Sequence, residues 1–209
     1  MRMSVNEVLE VLGCEYPSPE TELDYNDSFN LLIAVILSAQ ATDISVNKVT
    51  PVLFKNYPDF YRLAKADIED VMEILKSINF YRRKSKYIIE ASKKIVNEFK
   101  GKVPRSREEL ISLPGVGRKT ANVMLAEGFG VPAISVDTHV SRVAKRLGWA
   151  DEKDSSLEIE AKLMEIIPKD KWADSHHRLL LFGRYYSTAR DTRDIYDVLN
   201  ELKNKHGKL

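Results

Sequence analysis

The chain has 209 residues, 44% of them apolar and 30% charged, a composition that suits a folded protein with a sizeable core and excludes a disordered chain. Lysine plus arginine (32) nearly cancels aspartate plus glutamate (31), and a net charge of +1 gives no sign of a polyanionic partner. The single cysteine, Cys14, excludes an internal disulfide, a Cys-ligated zinc site and a four-thiolate iron–sulfur cluster within one chain.

Helical spacing dominates from end to end, and no segment alternates as a half-buried strand does. The first predicted helix covers Val5–Leu12, where Glu7 occupies the place a signal peptide gives to its apolar region. Asp27 or Ser28 caps the next, Phe29–Gln40, which is apolar nearly all round and therefore reads as central and buried. Its apolar run, Leu31–Leu37, is far too short to span a bilayer, so a cytoplasmic protein is expected. The polar residues beyond it, Ser38, Gln40 and Asp43, fit an ordinary helix terminus and the wall of a site equally well. Further helices are predicted over Ile44–Asn56, Ile68–Lys76 (capped by Asp67) and Arg82–Lys100. Beyond these come a short helix ending near Ser112, then Lys119–Glu127, Thr138–Leu147, Glu158–Ile167 and Trp172–Thr188. Ser106 with Glu109, and Ser155 with Glu158, have the spacing of capping boxes. Prolines cluster near the proposed boundaries, and the predicted class is all-α.

The net charge conceals an uneven distribution. Seven acidic residues stand against Arg2 alone between Met1 and Asn30, whereas ten basic residues stand against Glu90 and Glu98 between Lys76 and Arg105. The basic run also carries Phe80, Tyr81, Tyr87 and Phe99. Such a mixture serves either as a solvated helix face or as a surface for phosphates and bases.

Residues Leu113–Gly117 form a two-glycine turn between two helices. Gly115 and Gly117 permit positive φ and close approach of a ligand, and the amides beyond them face outward at a helix N-terminus that favours an anion. A plain helix–turn–helix elbow explains the same residues. Arg118 and Lys119 sit where the helix dipole disfavours cations unless an anion is near. Eighteen residues beyond Lys119, Asp137 opens the helix that follows the loop or strand-like segment Val131–Ser135. It reads as an N-cap or as a charge stabiliser.

The segment Leu113-Pro-Gly-Val-Gly-Arg-Lys-Thr-Ala-Asn122, followed by Val136-Asp-Thr-His139, resembles the endonuclease III family of helix–hairpin–helix DNA glycosylases. The likeness also takes in Leu31–Asp43 with Ser45-Val-Asn-Lys48, the turn Ile78-Asn-Phe-Tyr81, His176-His177 and Gly183-Arg-Tyr185. It implies a bilobal all-α fold: a six-helix barrel over residues 21–132, with the helix–hairpin–helix at about 106–128, and a lobe built from 1–20 and 133–209. A damaged nucleotide flipped from the duplex would enter between the lobes. The implied function is bifunctional: a base-excision-repair DNA glycosylase and AP lyase acting on oxidised or reduced pyrimidines in double-stranded DNA, as a monomer associated with the nucleoid.

Matched residue by residue, Lys119 is the nucleophile at C1′ and Asp137 assists its activation. Such an amine must be neutral, so its ordinary pKa of about 10.4 must be countered by a desolvated or cationic setting. DNA contacts fall to Gln40, which fills the space left in the duplex, and to Phe80, a wedge beside the opposing strand. Others are Leu113, Gly115, Val116, Gly117, Arg118, Thr120 and His139, which also supports the Asp137 turn. Ser38 and Asp43 are placed at the lesion pocket, and the carbonyls of Leu113 and Val116 hold Na+ or K+.

The chain departs from the family at its end. Most members carry four cysteines for a [4Fe–4S] cluster, the first just beyond the Gly-Arg-Tyr motif; here that position is Ser187, and no cysteine follows. No cluster is therefore expected, and Ile195, Val198, Leu199 and Leu202, at helical spacing, are expected to clamp the tail by apolar packing. Ala34 stands where adenine-mismatch relatives use a glutamate, and Lys119 is lacking in both those and the thymine-mismatch relatives. An 8-oxoguanine enzyme would share Lys119 and Asp137. A non-catalytic helix–hairpin–helix binding module would need neither.

Overall fold

A computed structural model describes residues 2–207. It contains twelve α-helices, and among the described residues there is no strand. The chain divides into two compact units: one joins the residues up to Thr21 with those from Pro132 onward, and the other is Glu22–Val131.

The continuous unit is built round α2 (Ser28–Ser38). Asp27 caps it by accepting from the Asn30 amide at 2.8 Å, and every residue from Phe29 to Leu37 is buried. A helix with no polar face must be enclosed on all sides. Around it stand α3 (Asp43–Asn56), α6 (Tyr81–Phe99), α8 (Arg118–Val123) and a π-turn (Met124–Gly128). The short α4 (Phe60–Leu63) and α5 (Ile68–Leu75) pack on α6, which turns Ile88, Ala91 and Ile95 into the core. Phe29 meets the edge of Phe60 at 4.7 Å, an arrangement that suits the ring quadrupoles. The remaining element, α7 (Arg107–Ile111), leads into the two-glycine turn. Pro51 lies within α3 and not at a boundary; the helix runs on because Leu53, beyond the proline, is fully buried.

The other unit gathers α1 (Val5–Glu15), α9 (Thr138–Arg146), α10 (Ser156–Ile166), a 3₁₀ turn (Lys169–Lys171), α11 (Trp172–Tyr185) and α12 (Ile195–Lys205). Their shared core includes Val8, Leu12, Val140, Ile159, Leu179, Phe182 and Leu199. Helices α9 and α11 approach closely because Gly183 has no side chain: a β-carbon there would lie 3.0 Å from Val143 and 3.1 Å from the His139 backbone. Capping is again local. Ser4 with Glu7 and Ser155 with Glu158 both form reciprocal capping boxes.

The tail is anchored in two ways. Ile195, Val198, Leu199 and Leu202 are all buried, each worth about 1.5–3 kcal/mol as an upper bound. Ionic contacts form the second anchor, centred on the Glu15 side chain, which is only 9% exposed. Among them, the Glu15 carboxylate accepts from Tyr186 Oη at 2.5 Å, from Lys205 Nζ at 2.9 Å and from His206 Nε2 at 2.5 Å. Burial works to raise the pKa of Glu15, but these three donors overcome it and hold the group down at about 2. No helix among the described residues is long and apolar enough to cross a membrane.

Candidate functional site

The two-glycine turn is set by α6 beneath it. Gly115 has φ +79, and a β-carbon there would lie 2.9 Å from the Tyr87 side chain; backbone and packing both demand glycine. Seven residues along α6, and therefore on the same face, Lys94 donates from Nζ to the Ser112 carbonyl at 3.0 Å. The turn closes with the Val116 amide on the Leu113 carbonyl at 3.1 Å. On the far side, Arg107 Nε donates to the buried Asn122 Oδ1 at 2.9 Å, which ties α7 to α8.

Gly117 differs from Gly115. Its φ of −95 is accessible to any residue, and a β-carbon would meet nothing within 4 Å. The sequence reading of positive φ therefore holds at Gly115 and fails at Gly117, which instead leaves open space beside the backbone. Gly117 is the N-cap of α8 and supplies no side-chain cap. Arg118 and Lys119 follow in the first turn and are exposed, while Thr120 is half-buried. The Leu113 and Val116 side chains are buried, so any ligand contact from them runs through the backbone.

Gln40 and Phe80 occupy two other turns of the same unit. Helix α2 stops at Ser38, so Gln40 lies outside the helix predicted to contain it, in the left-handed region with φ 55. Phe80 is left-handed as well, with φ 59, and is 53% exposed. The Asn79 side-chain amide donates to the Gln40 carbonyl at 3.2 Å. Of the lesion-pocket residues, Ser38 donates from Oγ to the Val35 carbonyl at 3.0 Å, and Asp43 is the first residue of α3 behind the Thr42 cap.

The basic run is not one continuous surface. Lys84 is 3% exposed, and its Nζ has no hydrogen-bond partner among the described residues. Burial, helped by the neighbouring Arg83 charge, pushes its pKa down to about 8. Arg83, by contrast, is exposed, with its guanidinium 5.2 Å from the Phe80 ring and 6.0 Å from the Tyr87 ring. In the sequence Tyr87 and Lys94 stand out only as members of the basic, aromatic run and Asn79 only within the Ile78–Tyr81 turn; their parts in holding these turns come from the structure. The seven-residue spacing of Tyr87 and Lys94 was the available signal.

In the discontinuous unit, Asp137 is the N-cap of α9, with Oδ1 accepting from the amides of His139 and Val140, each at 2.8 Å. The His139 ring contacts Arg142 Nη2 through Nδ1 at 3.1 Å. Arg142 in turn donates to the carbonyls of Gly183 at 2.7 Å and Ser187 at 3.0 Å. His176 and His177 are both buried, with ring centroids 4.8 Å apart. Among the described residues, no group of three or more His, Cys, Asp or Glu side chains is arranged to hold a metal ion.

Comparison with known proteins assigns the class. The sequence model of the HhH-GPD superfamily of base excision DNA repair proteins matches residues 33–169. Endonuclease III of Bacillus subtilis (strain 168) is 49% identical over 185 residues, covering 88% of this chain and 84% of that protein. Endonuclease III of Escherichia coli (strain K12) is 43% identical over 202 residues, covering 95% of each. A solved structure of a trapped endonuclease III–DNA covalent intermediate superposes with a TM-score of 0.88 at 43% identity, covering 96% of each chain. The chain belongs to the endonuclease III family within that superfamily. It is a base-excision DNA glycosylase with AP lyase activity.

Proposed function

We propose that the chain, acting as a monomer in the cytoplasm and on the nucleoid, removes oxidised or reduced pyrimidines from damaged double-stranded DNA and cuts the strand at the resulting site. The observation that carries this reading is Lys119, exposed in the first turn of a helix whose glycine N-cap offers no side-chain acceptor. An amine there faces a ligand that brings its own negative charge. The neutral Lys119 amine attacks C1′ as the bond to the base breaks, and the base leaves with a proton. Opening of the sugar gives an imine between Lys119 and C1′. Loss of a C2′ proton then expels the 3′ phosphate and breaks the strand.

The two units divide the remaining tasks. Glu22–Val131 serves as the six-helix barrel of the family, and the residues joined from both termini serve as its second lobe. Asp137 supports activation of Lys119 and the cationic sugar, and its turn is held by the α9 amides of His139 and Val140. The hairpin backbone from Leu113 to Gly117, with Arg118 and Thr120, holds phosphate without reading sequence. The Leu113 and Val116 carbonyls would hold Na+ or K+, which would supply positive charge toward that phosphate. Gln40 fills the vacated stack, Phe80 wedges the opposing strand, and Ser38 and Asp43 line the lesion pocket.

The residues present do not fit an iron–sulfur cluster. Four thiolate ligands are needed, and the chain has one cysteine, Cys14, exposed on α1. At Ser187 the buried hydroxyl accepts from Arg146 Nη1 at 2.6 Å, and a serine offers no thiolate to iron. No step of the chemistry requires redox. Duplexes carrying thymine glycol, dihydrouracil, 5-hydroxycytosine, 8-oxoguanine or an abasic site test the reading. The expected result is cleavage at the pyrimidine lesions and the abasic site, with an unsaturated aldehyde at the 3′ end, by protein free of iron and acid-labile sulfide. Excision confined to 8-oxoguanine, or binding without cleavage, would contradict it.

A further inference from the structure

We propose that Asn79 is a positioning residue that couples Gln40 and Phe80, so that the two enter the duplex as one preset unit; this rests on the roles given to those residues above. Only three non-glycine residues among those described have positive φ: Gln40, Phe80 and Lys100. Lys100 ends α6 and is followed by Gly101, an ordinary helix terminus. The other two are strained turns that need their surroundings to hold them.

Each turn is closed locally: the Ala41 amide bonds to the Ser38 carbonyl at 3.0 Å, and the Tyr81 amide to the Ile78 carbonyl at 3.2 Å. Neither closure connects one turn with the other. That connection is the Asn79 amide, which donates to the Gln40 carbonyl at 3.2 Å across 39 positions of chain. Asn79 immediately precedes Phe80, so the bond ties the backbone of one probing residue to the neighbour of the other. Phe80 is further held from the α6 side by the Arg83 guanidinium at 5.2 Å. Removing the amide frees the Gln40 turn to move while Phe80 stays on α6. The two side chains then no longer arrive in register, and ordering them is left to the moment of base flipping.

The test compares single-turnover excision from a thymine glycol duplex with borohydride trapping on a single strand carrying an abasic site, where there is no stack to fill and no opposing strand to wedge. Asn79→Leu keeps the size and removes the donor, and Asn79→Ala removes both. Both variants are expected to slow duplex excision about three- to tenfold, the effect of one net hydrogen bond, and to leave single-strand trapping unchanged. In a Gln40→Ala background, Asn79→Leu is expected to add little, because the side chain being positioned is gone. The inference is overturned if both Asn79 variants keep the wild-type duplex-to-single-strand ratio while Gln40→Ala and Phe80→Ala lower it. An equal fall on both substrates also overturns it, as a purely structural effect. If Gln40→Ala and Phe80→Ala themselves leave the ratio unchanged, the roles assigned to those residues are wrong and the inference falls with them.

Discussion

Arg146 donates from Nη1 to the hydroxyl of Ser187 at 2.6 Å, and Ser187 is fully buried. The same guanidinium reaches the Arg193 carbonyl, and Arg142 takes the Ser187 carbonyl at 3.0 Å. Two arginines one turn apart on α9 thus fix the segment that leads into α12. Replacing Arg146 by Met leaves the buried Ser187 hydroxyl without its donor, at a cost of about 1–3 kcal/mol. The melting temperature is expected to fall, and amide exchange to speed up around Ser187–Asp194 before other regions.

Glu15 makes stability pH-dependent. Its folded pKa of about 2 lies below the ordinary 4.5, so its contribution is complete above pH 4.5 and is lost as the pH falls towards 2. The contribution is on the order of 2 kcal/mol after allowance for solvent screening. Glu15→Gln is expected to melt earlier than wild type at neutral pH and to converge with it in acid. Parallel melting curves across that range would show that the cluster with Tyr186, Lys205 and His206 is energetically idle.

Gly115 and Gly117 separate folding from binding. Gly115→Ala forces a left-handed alanine against Tyr87, 2.9 Å away, and is expected to cost about 1–3 kcal/mol of stability together with DNA affinity. Gly117→Ala has neither problem in the fold. It is expected to melt like wild type yet bind duplex DNA more weakly, because its methyl group projects where phosphate must approach. Equal effects of the two substitutions on stability would refute the distinction.

The helices were legible in the sequence because their starts are local chemistry. Asp27, Asp67, Ser106, Ser155 and Asp137 all cap where spacing predicted them. What could not be read is what depends on packing at a distance. Gln40 looked like the last turn of an apolar helix, but the chain leaves the helix after Ser38 and turns left-handed. Lys84 looked like part of a basic face, yet it points into the unit and is buried. Lys119 and Asp137 stood out as a cation and a carboxylate at helix starts, but their catalytic roles came from the resemblance; an ordinary helix start and an N-cap fitted the same residues. Tyr87 beneath Gly115 needed the crossing of α6 with the hairpin.

Among the described residues Arg83 has no carboxylate within ion-pair distance, and its guanidinium lies over the rings of Phe80 and Tyr87. A guanidinium so stacked is preoriented for phosphate between the wedge and the hairpin. Arg83→Ala is expected to weaken duplex binding evenly across sequences and to reduce the slope of log affinity against log salt by about 0.9. An unchanged slope would remove Arg83 from the interface.

The central claim is that Lys119 forms the covalent bond to the sugar, and borohydride trapping on duplex DNA with an abasic site tests it most directly. Wild type is expected to give a covalent complex whose modified peptide contains Lys119, and Lys119→Gln to give none while still binding the duplex. Undiminished trapping by Lys119→Gln, or no trapping by wild type, would contradict the account.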